Sequence, residues 1–388
     1  MRILHTSDWH LGRSFHRVGM LEHQAAFVDH LLEVVSSERV DLVVVSGDVY
    51  DRALPHVDAV RLADETLARL ASSHARVVIT SGNHDSAQRL GFGSRLIDAA
   101  GIHLRTDASS VGSPIVLADE HGPVAVHGIP YLDPQALHEP WRLSARTHEA
   151  ALEEAMRRVR ADLEARPVRS VVMAHAFVAG GLPSDSERDI SVGGISVVSS
   201  AIFDGISYTA LGHLHGRATL GEALRYSGSP LAYSFSEAGH TKGSWLVDLG
   251  PDGVIGTTFV EAPVPRPLST ITGELDDLLA DPRYDDTQDH WIQATLTDAV
   301  RPDRPMERLR MRFPHTLVLS FAPAGEPAPS VVAEAPRGRS DHQVTKDFVA
   351  AMRGAPADED ESALLMQACD ACAEDPDADL LVSASGSG

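Results

Sequence analysis

Along this chain, short apolar runs recur, and each ends in the same kinds of polar residue. RIL precedes HTSDWH, DLVVV precedes SGDVYD, RVVIT precedes SGNHD, RSVVM precedes AHAF, and SYTAL precedes GHLHG. Runs this short, rich in Val, Ile and Leu and bounded by Gly, Ser, Asn and Asp, read as buried β-strands. Segments with helical spacing separate the first three. In HVDAVRLADETLARL the apolar positions Val57, Val60, Leu67 and Leu70 fall at helical intervals. The order β-α-β-α-β predicts an α/β fold with a parallel sheet, in which the residues that follow the strands gather along one edge.

Further strands are expected at PIVLA and PVAVHGIPYL, a helix from about residue 144 to 164, and strands and turns in RYSGSPLAYSF and KGSWLVDLG. After residue 262 the proline-bearing joint APVPRPL leads to helix-like GELDDLLA and strand-like WIQATL and TLVLSF. The expected organisation is a first domain at 1–262, a small α+β capping domain at 263–322, a Pro/Ala/Gly-rich linker at 323–339, and a tail at 340–388. The tail holds two short amphipathic helices, VTKDFVAAMRG and ESALLMQACDACA, with too little apolar surface to stand alone.

Composition narrows the class. With 388 residues, 43% of them hydrophobic, the chain can bury more than one core. No signal-like N-terminus and no bilayer-length apolar run is found, so a cytoplasmic protein without a membrane segment is expected. The cysteines are Cys369 and Cys372, which excludes a disulfide framework and a four-cysteine zinc site; their C-x-x-C spacing reads as an ordinary pair one helical turn apart. The net charge of -22 argues against a broad DNA-binding face. Nine acidic residues lie in 355–388, but the remainder is acidic too, so nucleic acid would have to meet a confined basic surface, metal charge or a partner.

Taken singly, an Asp or Asn after a strand is an ordinary turn or cap. Turn chemistry accounts for none of the histidines that accompany them. Asp8, His10, Asp48, Asn83, His175, His213 and His215 form a set of oxygen and imidazole donors without sulfur, suited to Mn²⁺, Fe²⁺, Zn²⁺ or Mg²⁺. Seven side chains exceed the needs of one ion, whereas a carboxylate shared by two ions about 3.5–4 Å apart uses them all. Asp48 is the expected bridge, because it has two oxygens and Gly47 lets the backbone turn closely; Gly82 and Gly212 serve the same steric purpose. Water held there would become hydroxide and attack a phosphate. His84 is expected to face that phosphate as a proton donor or transition-state stabiliser, with Asp85 accepting from its other ring nitrogen.

The series D-x-H, G-D-x-x-D, G-N-H-D, H and G-H-x-H resembles that of the calcineurin-like metallophosphoesterases. MRILHTSDWHLG, SGDVYD, SGNHD, ALGHLHG and YSGSP together resemble the bacterial branch of the Mre11 nucleases, over residues 1 to about 235. The resemblance implies a four-layer αββα metallophosphoesterase sandwich with a capping domain and a helical tail, and two Mn²⁺ ions. The first would take Asp8, His10, Asp48 and His215, the second Asp48, Asn83, His175 and His213, with His84 acting on the scissile phosphate or leaving group. It also implies 3′–5′ exonuclease activity on duplex DNA, endonuclease activity on single strands and hairpins, a role in DNA repair and recombination, a homodimer, and an SbcC-type, Rad50-like ATPase partner. One departure is Asp51, where archaeal and eukaryotic relatives have a histidine.

A basic ATPase would answer the charge problem, leaving this chain only a local groove, with Arg13, Arg17, Arg52, Arg89 and Arg188 as candidate DNA contacts. The tail would then lay Val344, Phe348, Met352, Leu364, Leu365 and Met366 on the partner. For the homodimer, Val57, Val60, Leu90, Phe92, Leu96 and Ile97 are candidates that could equally be core. The competing reading is a small-substrate phosphodiesterase, for example one acting on cyclic nucleotides, for which linker and tail are unnecessary. A protein phosphatase fits less well: residues 47–53 read GDVYDRA rather than GDxxDRG, and the later motif ends in Asp85 rather than Glu.

Overall fold

The computed structural model describes residues 1–187, 197–323, 340–353 and 355–374. The strands are β1 (Arg2–Thr6), β2 (Ser14–Phe15), β3 (Val18–Gly19), β4 (Leu42–Ser46), β5 (Arg76–Thr80), β6 (Ile102–Arg105), β7 (Ile115–Asp119), β8 (Gly122–Ile129) and β9 (Arg169–His175). They continue with β10 (Tyr208–Gly212), β11 (Ala218–Thr219), β12 (Leu224–Tyr226), β13 (Gly243–Leu249), β14 (Val254–Glu261), β15 (Leu268–Gly273), β16 (Trp291–Leu296) and β17 (Thr316–Phe321). The helices are α1 (Leu21–Ser37), α2 (Val57–Ala71), α3 (Ala87–Leu90), α4 (Ser94–Ile97), α5 (Pro134–Trp141), α6 (His148–Ala165), α7 (Leu275–Ala280), α8 (Pro305–Arg312), α9 (Asp341–Arg353) and α10 (Glu359–Glu374).

Two six-stranded sheets carry the fold, ordered β14-β13-β1-β4-β5-β6 and β11-β12-β10-β9-β8-β7. In the first, β1, β4, β5 and β6 run parallel; in the second, β8, β9, β10 and β12 do. β4 is buried along its whole length, as an unbroken apolar run must be when a parallel sheet is covered on both faces. Strand alternation sorts the side chains into three cores. Leu4, Val43, Val45, Val77 and Ile79 pack on α1 and α2 through Phe27, Leu31, Ala59 and Ala63. Ile3, Leu42, Val44 and Val78 meet Val126, Val171, Met173, Tyr208 and Ala210 between the sheets. Val172, Ala174 and Leu211 pack on α6 through Ala151, Ala155, Met156 and Val159. The layers are therefore α, β, β, α, the sandwich that the motifs imply.

On α2 the buried face is Ala59, Ala63, Thr66 and Leu70, while Val57 and Val60 are exposed, so the expected apolar stripe is corrected. Alanines let the helix sit close: a Cβ placed on Gly12 would come within 3.0 Å of that of Ala59. The other dimer candidates separate as well. Leu90 is core and Ile97 packs against it, whereas Phe92 and Leu96 are 85% and 83% exposed.

At the strand N-terminal ends, charged groups are paired. The Met1 ammonium donates to Asp119 Oδ2 (2.7 Å) and the Leu249 carbonyl (3.0 Å). The Arg169 guanidinium binds both oxygens of Asp119 and the carbonyls of Gly122 and Gly250. Asp119 lies in the second sheet and Leu249 in the first, so this cluster clamps the two together.

The described chain falls into two compact units, one of Met1–Leu296 with Pro302–Ser320, the other of Thr297–Arg301 with the described residues from Phe321 on. Within the larger unit, the sheet β15-β16-β17 with α7 and α8 encloses its own small core, from Ile271, Leu275 and Leu278 to Ile292, Leu309 and Phe313. Trp291 leaves that core to stack with Phe15 at 5.1 Å between centroids, which ties the sheet to the β2–β3 hairpin. In the smaller unit α9 and α10 pair, His342 Nε2 lying 2.9 Å from the Ser362 carbonyl. Val344, Phe348, Leu364 and Met366 are exposed there, and Leu365 is half-buried. Cys369 is free, with its sulfur 3.7 Å from Thr345 Oγ1. The expected linker beyond residue 323, the side chains of Met352 and Cys372, and Arg188 lie outside the described residues. Among the described residues, no helix is long and apolar enough to cross a membrane.

Candidate metal centre

The C-terminal ends of β1, β4, β5, β9 and β10 converge on one cluster of side chains. All seven predicted donors are there. His10 Nε2 lies 3.0 Å from His215 Nε2 and 3.6 Å from Asp48 Oδ2. On the other side, His175 Nε2 lies 3.5 Å from Asp48 Oδ2 and 2.8 Å from Asn83 Oδ1, with His213 Nδ1 3.3 Å from that same amide oxygen. Asp8, His10 and His215 offer donor atoms within 4.8 Å of one another, as do Asp8, Asp48 and His175. Two donor groups thus flank one carboxylate, Asp48. Its Oδ1 accepts the His84 backbone N–H (2.9 Å), leaving Oδ2 among the imidazoles.

Local backbone strain sets this geometry. Asp8, His10 and Asp48 hold φ at 54°, 46° and 50°, and His213 at 108°. Left-handed backbone at a non-glycine residue costs about 1–3 kcal/mol and persists only where its surroundings enforce it. The predicted glycines supply the room. A Cβ on Gly82 would run into Asp48, and one on Gly212 into the Ser46 carbonyl. Gly47, at φ 87°, has His175 in the same position.

The donors fit divalent cations. Asp8, His10 and Asp48 are all but fully buried, and His10 Nδ1 has no hydrogen-bond partner. Two buried carboxylates with no Lys or Arg among the donors need cationic charge. Burial pushes the Asp8 carboxyl up to about 6, offset in part by His175 and His215. For Asp48, burial works in the same direction but the surrounding imidazoles, His175 first, prevail and hold it ionised well below the usual carboxylate range. His175 answers in kind: burial opposes its charge, yet Asp48 raises it to about 9. His213, buried and facing His175, is lowered to about 3. A proton on His175 balances Asp48 when no ion does, and metal binding would displace it.

The expectation for His84 and Asp85 is corrected. His84 Nδ1 donates to the Asp51 backbone carbonyl (2.7 Å), not to Asp85. Asp85 instead accepts backbone N–H bonds from Gly82 (2.9 Å), Val49 (3.1 Å) and Tyr50 (2.9 Å), so it clasps the loop after β4 to the loop after β5. Burial and the charge on Asp48 raise Asp85 to about 7 against those three donors. The tautomer of His84 is nonetheless fixed, and its Nε2 faces the donor cluster 4.0 Å from Asp48 Oδ2.

Asp51 stands 3.8 Å from His10 Nδ1 and 3.7 Å from Arg13 Nε, behind the donors rather than among them. Arg13 is a bracing residue: it donates to the Ser186 carbonyl (2.7 Å) and lies over the Tyr233 ring. Arg89 donates to the Ala53 carbonyl at 2.8 Å. Arg17, at the tip of the β2–β3 hairpin, and Arg52 are exposed.

Several supporting residues had no part in the sequence reading. Ser7 Oγ donates to Asp8 Oδ2 (2.5 Å) and meets Ser227 Oγ (2.7 Å), which accounts for the first serine of YSGSP. Gln24 Nε2 donates to the His10 carbonyl (2.8 Å). Ser186, Glu187, Glu237 and Lys242 surround His215. The only sequence signal for the last two is the charged pair in SFSEAGHTKG, which reads as surface loop.

The calcineurin-like phosphoesterase family matches residues 1–217, more than half of the chain, and the chain belongs to that family. It has the fold and the clustered donors of a metal-dependent phosphoester hydrolase. A second family, the type 5 capsule protein repressor C-terminal domain or SbcD_C, matches residues 264–353, and the two in this order mark the SbcD type. Among solved structures, the chain is similar to an archaeal phosphodiesterase (12% identity, TM-score 0.30, covering 67% of this chain and 100% of that one). It is also similar to TT1561 of Thermus thermophilus (13%, 0.39, 66% and 98%) and to the calcineurin-like phosphoesterase YfkN from Bacillus subtilis (13%, 0.31, 67% and 88%). At these identities and TM-scores the structural likenesses add nothing to the family match.

Proposed function

We propose that this chain is the nuclease subunit of an SbcCD-type complex, a cytoplasmic enzyme that hydrolyses DNA phosphodiester bonds at two divalent ions, Mn²⁺ in the native enzyme. The observation that carries it is the meeting of two donor groups at Asp48 Oδ2. Asp8, His10, Asp48 and His215 would hold one ion, and Asp48, Asn83, His175 and His213 the other. When bound, the ions supply Lewis-acid charge on the phosphate and a hydroxide near neutral pH. The remaining work falls to His84. With Nδ1 committed to the Asp51 carbonyl, Nε2 is the one position where its proton can come and go, so the ring protonates there and donates to the leaving oxygen. Asp85 acts as a positioning residue that holds the loop carrying Asn83 and His84 against the loop carrying Asp48.

On this reading the enzyme digests duplex ends 3′ to 5′ and cuts hairpins and single strands during DNA repair and recombination. The match to an SbcD_C domain supports an SbcC-type, Rad50-like ATPase as partner, with the exposed apolar residues of α9 and α10 as its docking face. Phe92, Leu96, Val57 and Val60 are the exposed candidates for a homodimer surface. The four domain segments at 1–262, 263–322, 323–339 and 340–388 remain part of this proposal.

The test is cleavage of linear duplex and hairpin DNA with Mn²⁺, with and without the ATPase, by the wild type, Asp48→Ala and His84→Ala. Wild-type digestion is expected, with Asp48→Ala losing metal and cleavage, and His84→Ala keeping metal but not turnover. Digestion by Asp48→Ala at the wild-type rate would overturn the proposal. Hydrolysis of cyclic nucleotides alone would replace it with the small-substrate reading.

A further inference from the structure

Behind His215 lies a buried charged pair that the mechanism above leaves unused. Glu237 and Lys242 are 1% and 7% exposed and bonded to each other. All three Lys242 protons have acceptors: Glu237 Oε2, the His215 carbonyl (2.8 Å) and Ser229 Oγ (2.9 Å). Glu237 is equally committed. Its Oε1 accepts from Ser186 Oγ (2.5 Å) and from the Tyr233 backbone N–H (3.3 Å). With no donor left over, Lys242 cannot bind a DNA phosphate, and Glu237 faces the donor cluster only through the side of His215 that points away from His10. Burying such a pair is seldom favourable by itself, because desolvation offsets the attraction.

What the pair does touch is a predicted metal ligand. His215 Nδ1 lies 2.5 Å from Ser186 Oγ and 3.6 Å from Glu237 Oε1. Ser186 has a single hydroxyl proton, and the carboxylate, an acceptor only, takes it. The hydroxyl oxygen must then accept from the ring, so His215 carries its proton on Nδ1. Its Nε2 is left as a bare lone pair facing His10 Nε2 at 3.0 Å. The Glu187 carboxylate meanwhile accepts the His215 backbone N–H (2.7 Å).

We infer that Lys242, Glu237 and Ser186 form a relay that holds His215 in the Nδ1–H tautomer and turns its Nε2 toward one ion; they are positioning residues, not ligands. This rests on the proposed metal centre, in which His215 serves one ion and not the other. Outer partners of this kind typically change metal affinity by about 10–100-fold. The relay therefore predicts an uneven defect.

The test uses the full chain with ¹⁵N-labelled histidine and Mn²⁺ titrations by calorimetry. In the metal-free wild type, His215 should show the Nδ1–H tautomer, and Mn²⁺ should fill two sites. Ser186→Ala removes the relay hydroxyl while leaving the Glu237–Lys242 pair in place; it should mix the tautomers and weaken one site about 10–100-fold, with the other near wild type. Glu237→Gln should do the same, and Glu237→Asp should recover part of the affinity. If Glu237→Gln fails to fold, Ser186→Ala decides alone. Wild-type tautomer and affinities in Ser186→Ala would overturn the relay and leave the metal centre standing. A wild type that binds no Mn²⁺ would overturn the metal centre and the relay with it.

Discussion

The two ends of the sandwich use similar residues to opposite effect. At the strand N-terminal ends, Asp119 meets the Met1 ammonium and the Arg169 guanidinium, and each charge has a protein counter-charge. At the C-terminal ends, Asp8 and Asp48 are at least as well buried but are surrounded by imidazoles and an amide. The backbone differs in the same way: Asp8, His10, Asp48 and His213 have positive φ, whereas Asp119 and Arg169 do not. One end is complete as folded and contributes stability. The other is charge-deficient, a state suited to capturing cations.

The largest effect is expected from Asp48→Ala, which should reduce Mn²⁺-dependent cleavage to background while folding is retained, since it removes the carboxylate common to both donor groups. His84→Ala should follow, with turnover down about 10²–10⁴-fold and Mn²⁺ stoichiometry intact in calorimetry. At the opposite end, Asp119→Ala should leave cleavage unchanged per folded molecule and lower unfolding stability by about 3 kcal/mol, the low end for a broken buried pair because Arg169 keeps the carbonyls of Gly122 and Gly250.

Acid should reveal that same pair. The Arg169 hydrogen bonds, opposed by burial and helped by the N-terminal ammonium, hold Asp119 below the usual carboxylate range. Its contribution is fully present above the unfolded value near pH 4 and is lost as pH falls through the lower folded value. Urea titrations between about pH 6 and pH 3 should therefore show a smaller acid loss in Asp119→Ala than in wild type. The smallest effect is expected from Arg17→Ala on the exposed hairpin tip: DNA affinity down a few-fold at every sequence, and the salt slope reduced by about one.

Much of this was legible in the chain because strand ends and donors are adjacent in sequence. A run such as DLVVV followed by SGD states both where a strand stops and what it delivers, and five such statements converge only if the strands are parallel and neighbouring. Legibility failed where the partner is backbone or where burial alone assigns the role. His84 is oriented by a carbonyl of Asp51, and a carbonyl carries no residue identity, so the acidic neighbour Asp85 looked like the partner. The α2 face was misread because valines outrank alanines in any hydrophobic count, while close approach to the sheet favours the smaller side chain. Glu237 and Lys242 looked like solvent-facing charge because nothing local marks a loop as interior.

The positive φ values at Asp8, His10, Asp48 and His213 have a practical corollary for anyone engineering a hardier variant. Glycine at any of them would relieve a backbone cost of about 1–3 kcal/mol, offset by about 0.5–1 kcal/mol for the freer unfolded chain. Each such change would also delete a proposed ligand. Thermal robustness and turnover are thus set against each other at the same four addresses, and hardening is better sought at the Met1–Asp119–Arg169 end.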